Sequence, residues 1–426
     1  MTEEPRISND EPRICVHGLG YVGLPMAAVL ANSGYEVAGF DVDSEHRRNL
    51  QNREFSFEEP DLQRFVDRAL DDGLTIVKEP SVANFHIICV PTPYDKDLDR
   101  TDLSYVRAAG ETIAGLLRTG DTVILSSTVP PGTTDGLLRQ VLEREGLSVS
   151  EDVLLGYSPE TVLPGDTLSE LRENDRLVGT VEGRPPDRIV ALYDAFVSGD
   201  VRRTDATTAE FVKLIQNASR DVNIAFANEV AKLANEFGVD SRDAIGLANE
   251  HPRVDILRPG PGVGGHCIPI DPLFLSQGND VPMLIETART VNDGMVGFVV
   301  KLLEAALGAV AESTVTVLGV AYKGGVADTR ESPALALVHQ LEESRIGGIR
   351  LTDPYVKEAR LDRDVLSLKE SLAGSDAAVL VTDHPEYGAL NPADFEDWMD
   401  GSVIVDTRAM LNEERWEKAG FKVYQV

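Results

Sequence analysis

The chain has 426 residues, of which 71 are acidic and 40 are basic, so its formal net charge at neutral pH is −31. Such a charge argues against nucleic-acid binding, because the phosphate backbone needs a basic protein face. A membrane-spanning helix is not expected, since no run of about 18 apolar residues occurs. The three cysteines have no paired spacing, which argues against a disulfide framework or a zinc site and favours a cytoplasmic protein.

The acidic residues are not accompanied by a loss of core-forming residues. Hydrophobic residues make up 42% of the chain, an ordinary share, whereas lysine occurs only ten times. An acidic, lysine-poor surface around a normal core predicts a halophilic protein, because concentrated salt screens the repulsion between acids. The alternative is a protein that is merely acidic. Residues 1–12 are polar, do not resemble a signal peptide, and are predicted to form a disordered tail.

The first structured segment contains a dinucleotide fingerprint. A short apolar strand at residues 13–16 leads into Gly-Leu-Gly-Tyr-Val-Gly at residues 18–23, a helical pattern, and a strand at 36–40 that ends at Asp41. This order is typical of a Rossmann-like unit, in which the glycines admit a pyrophosphate to the helix N-terminus. Asp41 is expected to bind the adenosine ribose and to repel a 2′-phosphate, so the sequence predicts NAD rather than NADP.

Three more apolar strands are predicted at residues 86–90, 122–125 and 153–156. Polar residues follow their ends, among them Thr92, Thr128 and Glu160. Ligands of doubly wound sheets bind beyond the carboxyl ends of the strands. Ordinary turn chemistry would also explain each position separately, but the three together favour a lined site.

Residues 208–237 contain neither proline nor glycine, and their apolar residues recur with helical spacing. They predict one helix of about eight turns. Lys213, Asn217 and Arg220 share one face of it. That face is either solvated or packed against a substrate, where Lys213 would stabilise charge or relay a proton. A second helical stretch is predicted at residues 282–311.

The loop at residues 262–271 combines three glycines with Cys267 and an acid four residues later. A reactive thiolate needs exposure, a polar partner and room for an electrophile, and this loop offers all three. His266 could activate the thiol or bond to the loop backbone. Cys15 and Cys89 lie within apolar strands and are expected to be inert. Hydrolases with a thiol–histidine dyad are an alternative, but they do not explain the dinucleotide fingerprint.

A second α/β domain follows. Its strands are predicted at residues 315–319, 349–352, 377–381, 403–405 and 422–424, and residues 328–333 open a helix. Because this domain lacks a full Gly-x-Gly-x-x-Gly, we expect it to hold the nucleotide moiety of a substrate rather than a second dinucleotide. The predicted fold is therefore α/β, with two Rossmann-like doubly wound domains joined by a long central helix.

From about residue 13 to its C-terminus the chain resembles the UDP-glucose/GDP-mannose dehydrogenase family. The resemblance rests on the strings at residues 18–25, 90–93, 158–165, 260–267 and 328–333. Within the family, residues 220–229 and 249–257 are most similar to members that act on UDP-N-acetyl-D-mannosamine.

The resemblance implies an NAD-binding domain at 13–204, a central helical region for dimerisation and catalysis at 205–300, and a UDP-sugar-binding domain at 301–426. It implies a homodimer that oxidises the C6 alcohol of a UDP-sugar to the uronate, through a thiohemiacetal and a thioester on Cys267. UDP-N-acetylglucosamine and UDP-glucose remain alternative substrates. A non-catalytic NAD-binding regulator and a two-electron dehydrogenase remain alternatives of other classes. By family analogy the product enters polysaccharide or glycan assembly.

The resemblance also implies roles for individual residues. The implied catalytic residues are Cys267, Lys213, Asn217, Asp271 and Glu160. The implied NAD-binding residues are Gly18, Gly20, Tyr21, Val22, Gly23, Asp41, Thr92, Thr128 and Arg330, the last at the pyrophosphate. The implied substrate-binding residues are Thr161, Val162, Arg220, His251, Arg253, Gly264, Tyr322, Lys323 and Arg408. Arg253 is a candidate to serve a neighbouring subunit. Thr161 departs from the pattern, since relatives often have arginine there. No metal ligand is implied.

Overall fold

The computed structural model describes residues 13–55, 59–149, 151–162, 165–279, 281, 283–357, 361 and 363–426. The tail predicted at residues 1–12 lies outside the described residues. The chain divides into two compact units, one that ends at Ile215 and one that begins at Gln216.

The N-terminal unit is built on a sheet of mostly parallel strands. Its strands are β1 Arg13–His17, β2 Glu36–Phe40, β3 Leu74–Ile76, β4 Phe85–Ile88, β5 Tyr94–Asp95, β6 Arg100–Thr101, β7 Thr122–Leu125, β8 Leu154–Tyr157, β9 Arg176–Thr180 and β10 Val201–Asp205. Eight of them form one sheet in the order β10-β9-β8-β7-β4-β1-β2-β3. Only the β8–β9 pair of that sheet is antiparallel, and β5 and β6 form a separate antiparallel hairpin. The order places a topological switch point between β1 and β4.

Helices cover both faces of this sheet. They are α1 Gly23–Asn32, α2 Ser44–Asn52, α3 Pro60–Asp71, α4 Ser104–Ala114, α5 Arg139–Leu142, α6 Thr167–Glu173 and α7 Asp187–Asp194. Ile14 and Val16 of β1 pack with α1 and α3 in one core cluster. On the other face of β1, Cys15 and His17 are buried beside His86. Alternation along a strand sends neighbouring residues to opposite faces, and both faces here are covered.

A group of helices leads from the first unit into the second. They are α8 Ala206–Phe237, α9 Ser241–Asn249, α10 Asp271–Ser276, α11 Met283–Asp293 and α12 Met295–Leu307. The long helix predicted at 208–237 is confirmed as α8. The single stretch predicted at 282–311 is wrong, because α11 ends at Asp293 and Gly294 precedes α12. Helix α12 packs through Val299 and Leu303 into the core of the C-terminal sheet, so the domain boundary expected at residue 300 falls inside a helix.

The C-terminal part of the second unit is a fully parallel sheet. Its strands are β11 Thr314–Leu318, β12 Gly348–Thr352, β13 Val365–Leu366, β14 Ala377–Leu380, β15 Val403–Asp406 and β16 Lys422–Gln425. Their order is β13-β12-β11-β14-β15-β16, with a switch point between β11 and β14. Its helices are α13 Pro333–Glu343, α14 Leu368–Leu372, α15 Pro392–Trp398 and α16 Glu413–Lys418.

The predicted fold class is confirmed: two Rossmann-like doubly wound domains are joined by a long helix. Predicted and observed strand ends differ by at most two residues, as expected when hydrophobic runs locate a strand but its last hydrogen bond does not follow from the pattern. No helix among the described residues is long and apolar enough to cross a membrane.

Candidate active site

The loop after β1 has the backbone geometry of a phosphate-binding turn. Gly18 has a φ of +90°, and a Cβ there would lie 2.6 Å from the carbonyl oxygen of Cys89. A Cβ on Gly23 would lie 1.8 Å from the carbonyl oxygen of Gly18, whereas one on Gly20 would meet no atom within 4 Å. Two glycines are therefore required by the fold, and the third leaves open space beside the start of α1.

The predicted ribose-binding acid is held at this loop. Asp41 follows β2 and is half-buried. Its Oδ2 accepts a hydrogen bond from the Leu19 amide at 2.8 Å, and its Oδ1 accepts one from the Asp43 amide at 3.0 Å. A carboxylate has about four acceptor positions, so Asp41 keeps capacity for the two hydroxyls of a ribose.

The next two strand ends are tied to each other. The Thr92 hydroxyl donates to the carbonyl oxygen of Thr128 at 2.6 Å, and the Ser127 hydroxyl donates to the carbonyl oxygen of Val90 at 2.7 Å. The structure thus brings together two residues that the sequence assigned to the cofactor, at the carboxyl ends of β4 and β7 where a doubly wound sheet binds its ligand.

Glu160, at the end of β8, belongs to a buried ion pair that the sequence did not reveal. Its Oε2 accepts a hydrogen bond from Arg176 at 2.7 Å, and the two side chains are 5% and 3% exposed. Its Oε1 accepts from the Thr161 amide at 3.0 Å. Arg176 also lies over the Tyr193 ring, 5.2 Å from its centroid. Charges this deeply buried need such partners, so Arg176 fixes where the Glu160 carboxylate points.

The segment beyond Glu160 is fastened by another acid. Thr161 and Val162 are half-buried. A few residues later, the Gly165 amide donates to Glu59 at 2.8 Å, and Thr167 donates to it through its amide at 3.0 Å and its hydroxyl at 2.8 Å. The Tyr21 hydroxyl lies 2.5 Å from that of Thr167 and 3.4 Å from Glu59. Glu59 therefore connects the segment after Glu160 to the glycine loop.

The two strand cysteines are poor nucleophiles. Cys15 is fully buried, as predicted, and burial raises the pKa of its thiol to about 11. Cys89 packs against the same core. Burial first and the Glu160 charge second raise the pKa of its thiol to about 12. Both thiols therefore stay protonated near neutral pH, and a protonated thiol is not a nucleophile.

The glycine-rich loop that carries Cys267 fits closely against a loop of the C-terminal domain. A Cβ on Gly264 would lie 2.8 Å from the Cβ of Tyr322, and one on Gly265 would lie 2.9 Å from the Tyr322 ring. The Gly265 amide donates to the carbonyl oxygen of Arg330 at 3.1 Å. These glycines therefore let the loop pack against Tyr322 just before the half-buried Cys267.

Two predicted catalytic residues meet next to the cysteine. Asp271 begins α10 and is 4% exposed. Its Oδ2 accepts a hydrogen bond from the Asn217 side chain at 2.6 Å, and its amide donates to the carbonyl oxygen of Cys267 at 2.8 Å. Lys213 lies one turn earlier on α8 and is 7% exposed. The solvated-face interpretation is therefore wrong for Lys213, which is buried.

A buried polar network supports the cysteine loop from behind. The Gly260 amide donates to Asn228 at 2.8 Å, and Asn228 donates to Asn292 at 2.8 Å. Asn292 and Arg289 both donate to Asp221, at 2.8 and 2.5 Å. Burial raises the pKa of Asp221, and the bonds from Arg289 and Asn292 oppose that effect. The network joins α8 and α11 to the loop through buried side chains.

Arg330 places a positive charge near the thiol. It forms an ion pair with Asp328 at 2.5 Å. The hydrogen bonds that Arg330 donates to Asp328 raise the pKa of the guanidinium, and the nearby Tyr322 and Cys267 raise it further. Burial alone would raise the pKa of Asp328, but its bonds with Arg330 lower it. The exposed His266 is close enough to lower it a little further. A neighbouring cation favours a thiolate.

The other predicted substrate residues fall into two groups. Tyr322 and Lys323 follow β11, and Arg408 follows β15, where its Nε donates to the carbonyl oxygen of Val381 at 2.8 Å. They share the carboxyl edge of the C-terminal sheet. By contrast, the second group lies exposed on helix α8 and on the loop after α9: Arg220, His251 and Arg253.

Sequence reasoning missed the residues that hold these loops, chiefly Glu59 and Arg176. Glu59-Pro60 is only a helix start in the sequence, and Arg176 begins an ordinary strand. Their partners lie 106 to 108 residues and 16 residues away, so no local pattern could have identified them.

Comparison with known proteins agrees with this geometry. Three sequence profiles of the UDP-glucose/GDP-mannose dehydrogenase family match: its NAD binding domain at residues 12–197, its central domain at 207–294 and its UDP binding domain at 316–413. A UDP-N-acetyl-D-mannosamine dehydrogenase of Methanocaldococcus jannaschii is 42% identical over 97% of this chain and 96% of its own.

Two further relatives are informative. The solved structure of the UDP-N-acetyl-D-mannosamine dehydrogenase of Pyrococcus horikoshii has a TM-score of 0.90 and 40% identity, over 97% of this chain and 99% of that one. An NDP-N-acetyl-D-galactosaminuronic acid dehydrogenase of Ralstonia solanacearum is 38% identical, over 96% of this chain and 98% of its own.

Proposed function

Since the chain belongs to the UDP-glucose/GDP-mannose dehydrogenase family, we propose that it is an NAD-dependent UDP-N-acetyl-D-mannosamine 6-dehydrogenase. The enzyme oxidises the C6 alcohol of the sugar to a carboxylate and reduces two NAD in each turnover. The observation that carries the proposal is the position of Cys267, in a tight glycine loop beside the Asn217–Asp271 pair and Arg330.

The residues of the first domain fit NAD. The open side of Gly20 leaves room for the pyrophosphate, and Asp41 has acceptor positions left for the ribose. Tyr21, Val22, Thr92 and Thr128 complete the proposed site, with Arg330 at the pyrophosphate. NAD accepts one hydride in each oxidation.

Cys267 acts between the two oxidations. Once C6 has become an aldehyde, the thiolate adds to the carbonyl carbon, so an S–C bond forms and the carbonyl oxygen takes the negative charge as a thiohemiacetal. Loss of a second hydride restores the carbonyl as a thioester. Water then adds to the thioester carbon and the C–S bond breaks. The sugar is released as a carboxylate, and Cys267 is again a thiolate. The covalent link retains the aldehyde and divides a hard step.

Lys213 and Asn217 stabilise the oxygen at each of these stages. Lys213 is 7% exposed, and a buried ammonium acts on a developing oxyanion more strongly than a solvated one. One such donor typically lowers the barrier by about 3 kcal/mol. A water bound to Lys213 receives the proton of the C6 alcohol, because the ammonium itself has no lone pair to accept it.

Two buried carboxylates are available to orient the hydrolytic water, Glu160 and Asp271. Arg176 holds Glu160 at 2.7 Å, and Asn217 holds Asp271 at 2.6 Å. Each carboxylate thus has a fixed direction, which is what positioning a water requires.

We assign the UDP part of the substrate to the C-terminal domain, through Tyr322, Lys323 and Arg408. We assign Thr161, Val162 and Gly264 to the sugar part. Because Thr161 replaces the arginine of many relatives, its contact here is a hydroxyl rather than a cation. This assignment completes a three-part organisation of NAD domain, central helical region and UDP domain.

The central region is the proposed homodimer surface. Phe226, Leu233 and Phe237 share one face of α8 and are 55%, 51% and 79% exposed. Met283 and Leu284 at the start of α11 are 75% and 68% exposed. Apolar patches of this kind mark interfaces, and a two-fold dimer would use the same patch twice. We assign the exposed Arg253 to the substrate of the partner subunit, and Arg220 and His251 to the UDP-sugar.

The setting follows from the composition. A net charge of −31 with ten lysines suits work in molar salt. The free cysteines and the use of NAD suit the cytoplasm. We assign the uronate product to polysaccharide or glycan assembly.

The test is the NADH yield with limiting UDP-N-acetylmannosamine, UDP-N-acetylglucosamine or UDP-glucose in molar KCl. We expect two NADH per UDP-N-acetylmannosamine and little from the others. One NADH per sugar would indicate a two-electron dehydrogenase, and turnover of another sugar would replace the substrate. No NADH from any of them would leave a non-catalytic NAD-binding protein.

Replacement of the proposed nucleophile tests whether uronate formation needs a covalent intermediate. Cys267→Ser retains a hydroxyl that adds reversibly to an aldehyde but is a poor leaving group. Uronate formation should fall by orders of magnitude while NAD binding persists. Uronate at the wild-type rate would contradict the covalent route.

A further inference from the structure

The loop that carries Tyr322 and Lys323 is anchored by side chains with no assigned role. The loop begins at Gly319, directly after β11, and runs to α13 at Pro333. Its first seven residues bond to a short segment after β14, residues 382–384, and to Asp353 after β12. These are the two strands that flank β11 in the sheet.

Asp353 holds the start of the loop. Its Oδ2 accepts hydrogen bonds from the amides of Val320 and Ala321, at 2.7 and 3.1 Å. Its Oδ1 accepts from the amides of Tyr355 and Val356, at 2.8 and 2.9 Å. The side chain is 0% exposed. Two amides of the loop are therefore fixed by one carboxylate that water does not reach.

His384 holds the far end and is joined to the same carboxylate. Its Nδ1 accepts from the Gly325 amide at 3.1 Å, and its Nε2 lies 3.0 Å from Oδ2 of Asp353. Because Nδ1 accepts, the ring proton is on Nε2 and is donated to Asp353. The ring stacks on Tyr355, with centroids 5.1 Å apart, and is edge-on to Tyr387 at 5.5 Å. Its tautomer and its orientation are both fixed.

Two neighbours of His384 hold the middle of the loop. The Thr382 hydroxyl donates to the carbonyl oxygen of Ala321 at 2.6 Å, and Asp383 accepts from the Gly324 amide at 3.0 Å. A Cβ on Gly324 would lie 2.1 Å from the carbonyl oxygen of Asp383. Anchors thus stand on both sides of Tyr322 and Lys323, and the backbone has little freedom between them.

We propose that Asp353 and His384, with Asp383, are positioning residues that preorganise the Tyr322–Lys323 loop to bind the diphosphate of the nucleotide. This inference rests on the proposed function, since it assumes that the loop binds UDP. Preorganisation matters because a loop that must be ordered on binding loses affinity for its ligand.

The test measures UDP binding by calorimetry in molar KCl, because UDP is common to every candidate substrate. His384→Ala and Asp383→Ala should each weaken UDP binding about tenfold, the usual cost of one lost hydrogen bond in a fixed site. His384→Gln, which can both accept and donate, should restore part of the affinity. NAD binding should not change.

Controls separate positioning from stability. Tyr355→Phe removes a hydroxyl that donates to Glu386 at 2.8 Å, outside the loop, and keeps the ring that stacks on His384, so it should bind UDP like the wild type. Asp383 is exposed, so its alanine variant should keep the wild-type melting temperature. In turnover, KM for the UDP-sugar should rise and kcat at saturation should change less than about twofold.

The outcomes are distinguishable. Wild-type affinity for UDP in folded His384→Ala and Asp383→Ala proteins would overturn the positioning role and leave the proposed function intact. No UDP binding by the wild type would overturn both. An equal loss in the Tyr355→Phe control would also overturn the proposal, since the loss would then follow from general packing.

Discussion

The two Rossmann-like domains begin with the same turn and differ in what they do with it. Gly18 and Gly319 each follow the first strand, with φ of +90° and +88°. Each glycine amide donates at 2.8 Å to the last residue of the second strand, Phe40 or Thr352. The next amide donates to the acid after that strand, at 2.8 Å in one domain and 2.7 Å in the other.

The acids then differ in what surrounds them. Asp41 accepts two backbone hydrogen bonds and is half-buried. Asp353 accepts four from amides and one from His384, and is fully covered. Burial would raise the pKa of Asp353, but these bonds outweigh it and lower the pKa to about 2. One acid can still receive a ribose, whereas the other is part of the scaffold.

The helices differ as well. In the first domain α1 begins at Gly23, the last glycine of the fingerprint. In the second, Gly324 has the matching position, but α13 begins only at Pro333. In the dinucleotide fingerprint, the pyrophosphate binds at a helix N-terminus directly next to the glycine turn. The same turn thus gives a cofactor site in one domain and a loop anchored by side chains in the other.

The largest effect is expected where the two turns agree. Gly18→Ala and Gly319→Ala place a side chain at positive φ and within 2.6 Å of Cys89 or 2.4 Å of Thr382. Strain and overpacking together should cost about 3 kcal/mol or more in either domain. Gly18→Ala should abolish NAD binding and spare UDP binding, and Gly319→Ala should do the reverse, as calorimetry would show. Retention of both ligands by either variant would contradict the shared geometry.

The next largest effect is expected at low pH, which should destabilise the N-terminal domain more than the C-terminal one. His17 and His86 are buried, and their ring nitrogens lie 3.1 Å apart. Burial, and then the His86 charge, lowers the pKa of His17 to about 3, and burial lowers the pKa of His86 to about 4. The unfolded chain therefore binds more protons than the native one below pH ~6.5, and stability falls as the pH falls. At pH ~5 each histidine should cost roughly 2 kcal/mol.

The C-terminal domain has no such loss from its own buried acid. Asp353, with a pKa of about 2, stabilises the fold above its unfolded pKa and loses that effect only as the pH falls toward 2. Both tryptophans, Trp398 and Trp416, lie in this domain, so fluorescence reports it alone. Between pH 7 and 5, NAD binding should be lost at a much lower temperature, while the fluorescence transition moves little. His86→Leu should reduce the difference, and equal shifts of both transitions would refute it.

A smaller effect is expected at the cofactor acid. Asp41→Asn keeps the shape but replaces one acceptor oxygen with a donor, so one ribose bond to a charged group is lost. Such bonds are worth about 1.5–3 kcal/mol, which corresponds to a rise of roughly 10- to 100-fold in KM for NAD. The variant should also discriminate less against NADP. Steady-state kinetics with both cofactors measures this, and an unchanged preference for NAD would contradict the role of Asp41.

How much the sequence could predict differs between the two turns. The first is a local pattern of strand, glycines, helix, strand and acid, and it was predicted with its cofactor. The second was predicted only as lacking a full fingerprint. The role of Asp353 depends on His384, which is 31 residues away, and no spacing rule connects them.

The same limit applies to the catalytic residues. The Cys267 loop was visible because glycine, cysteine and acid are adjacent in sequence, and Lys213 and Asn217 because they share a helix face. Arg176, Glu59 and the network around Asp221 hold these residues in place, but they are contributed by distant segments. Sequence patterns were enough to propose the reacting groups, whereas the groups that position them could be found only from the fold.

The smallest effects test whether the middle glycine explains the difference between the turns. Gly20→Ala adds a methyl group that meets no protein atom within 4 Å, so the melting temperature should hold while KM for NAD rises about fivefold from crowding of the pyrophosphate. The second turn already has alanine there, and Ala321→Gly completes its fingerprint. That change should cost the C-terminal domain only about 0.5–1 kcal/mol, from the added freedom of the unfolded chain.

Ala321→Gly should not create a second cofactor site. Asp353 would still be covered, and α13 would still begin at Pro333, so neither the ribose nor the pyrophosphate would find its partner. Calorimetry of the Ala321→Gly protein should give one NAD site per chain, as in the wild type. A second site would mean that this glycine alone decides which of the two domains binds NAD. Its absence would assign the difference to the acid and the helix start, which the three glycines alone do not specify.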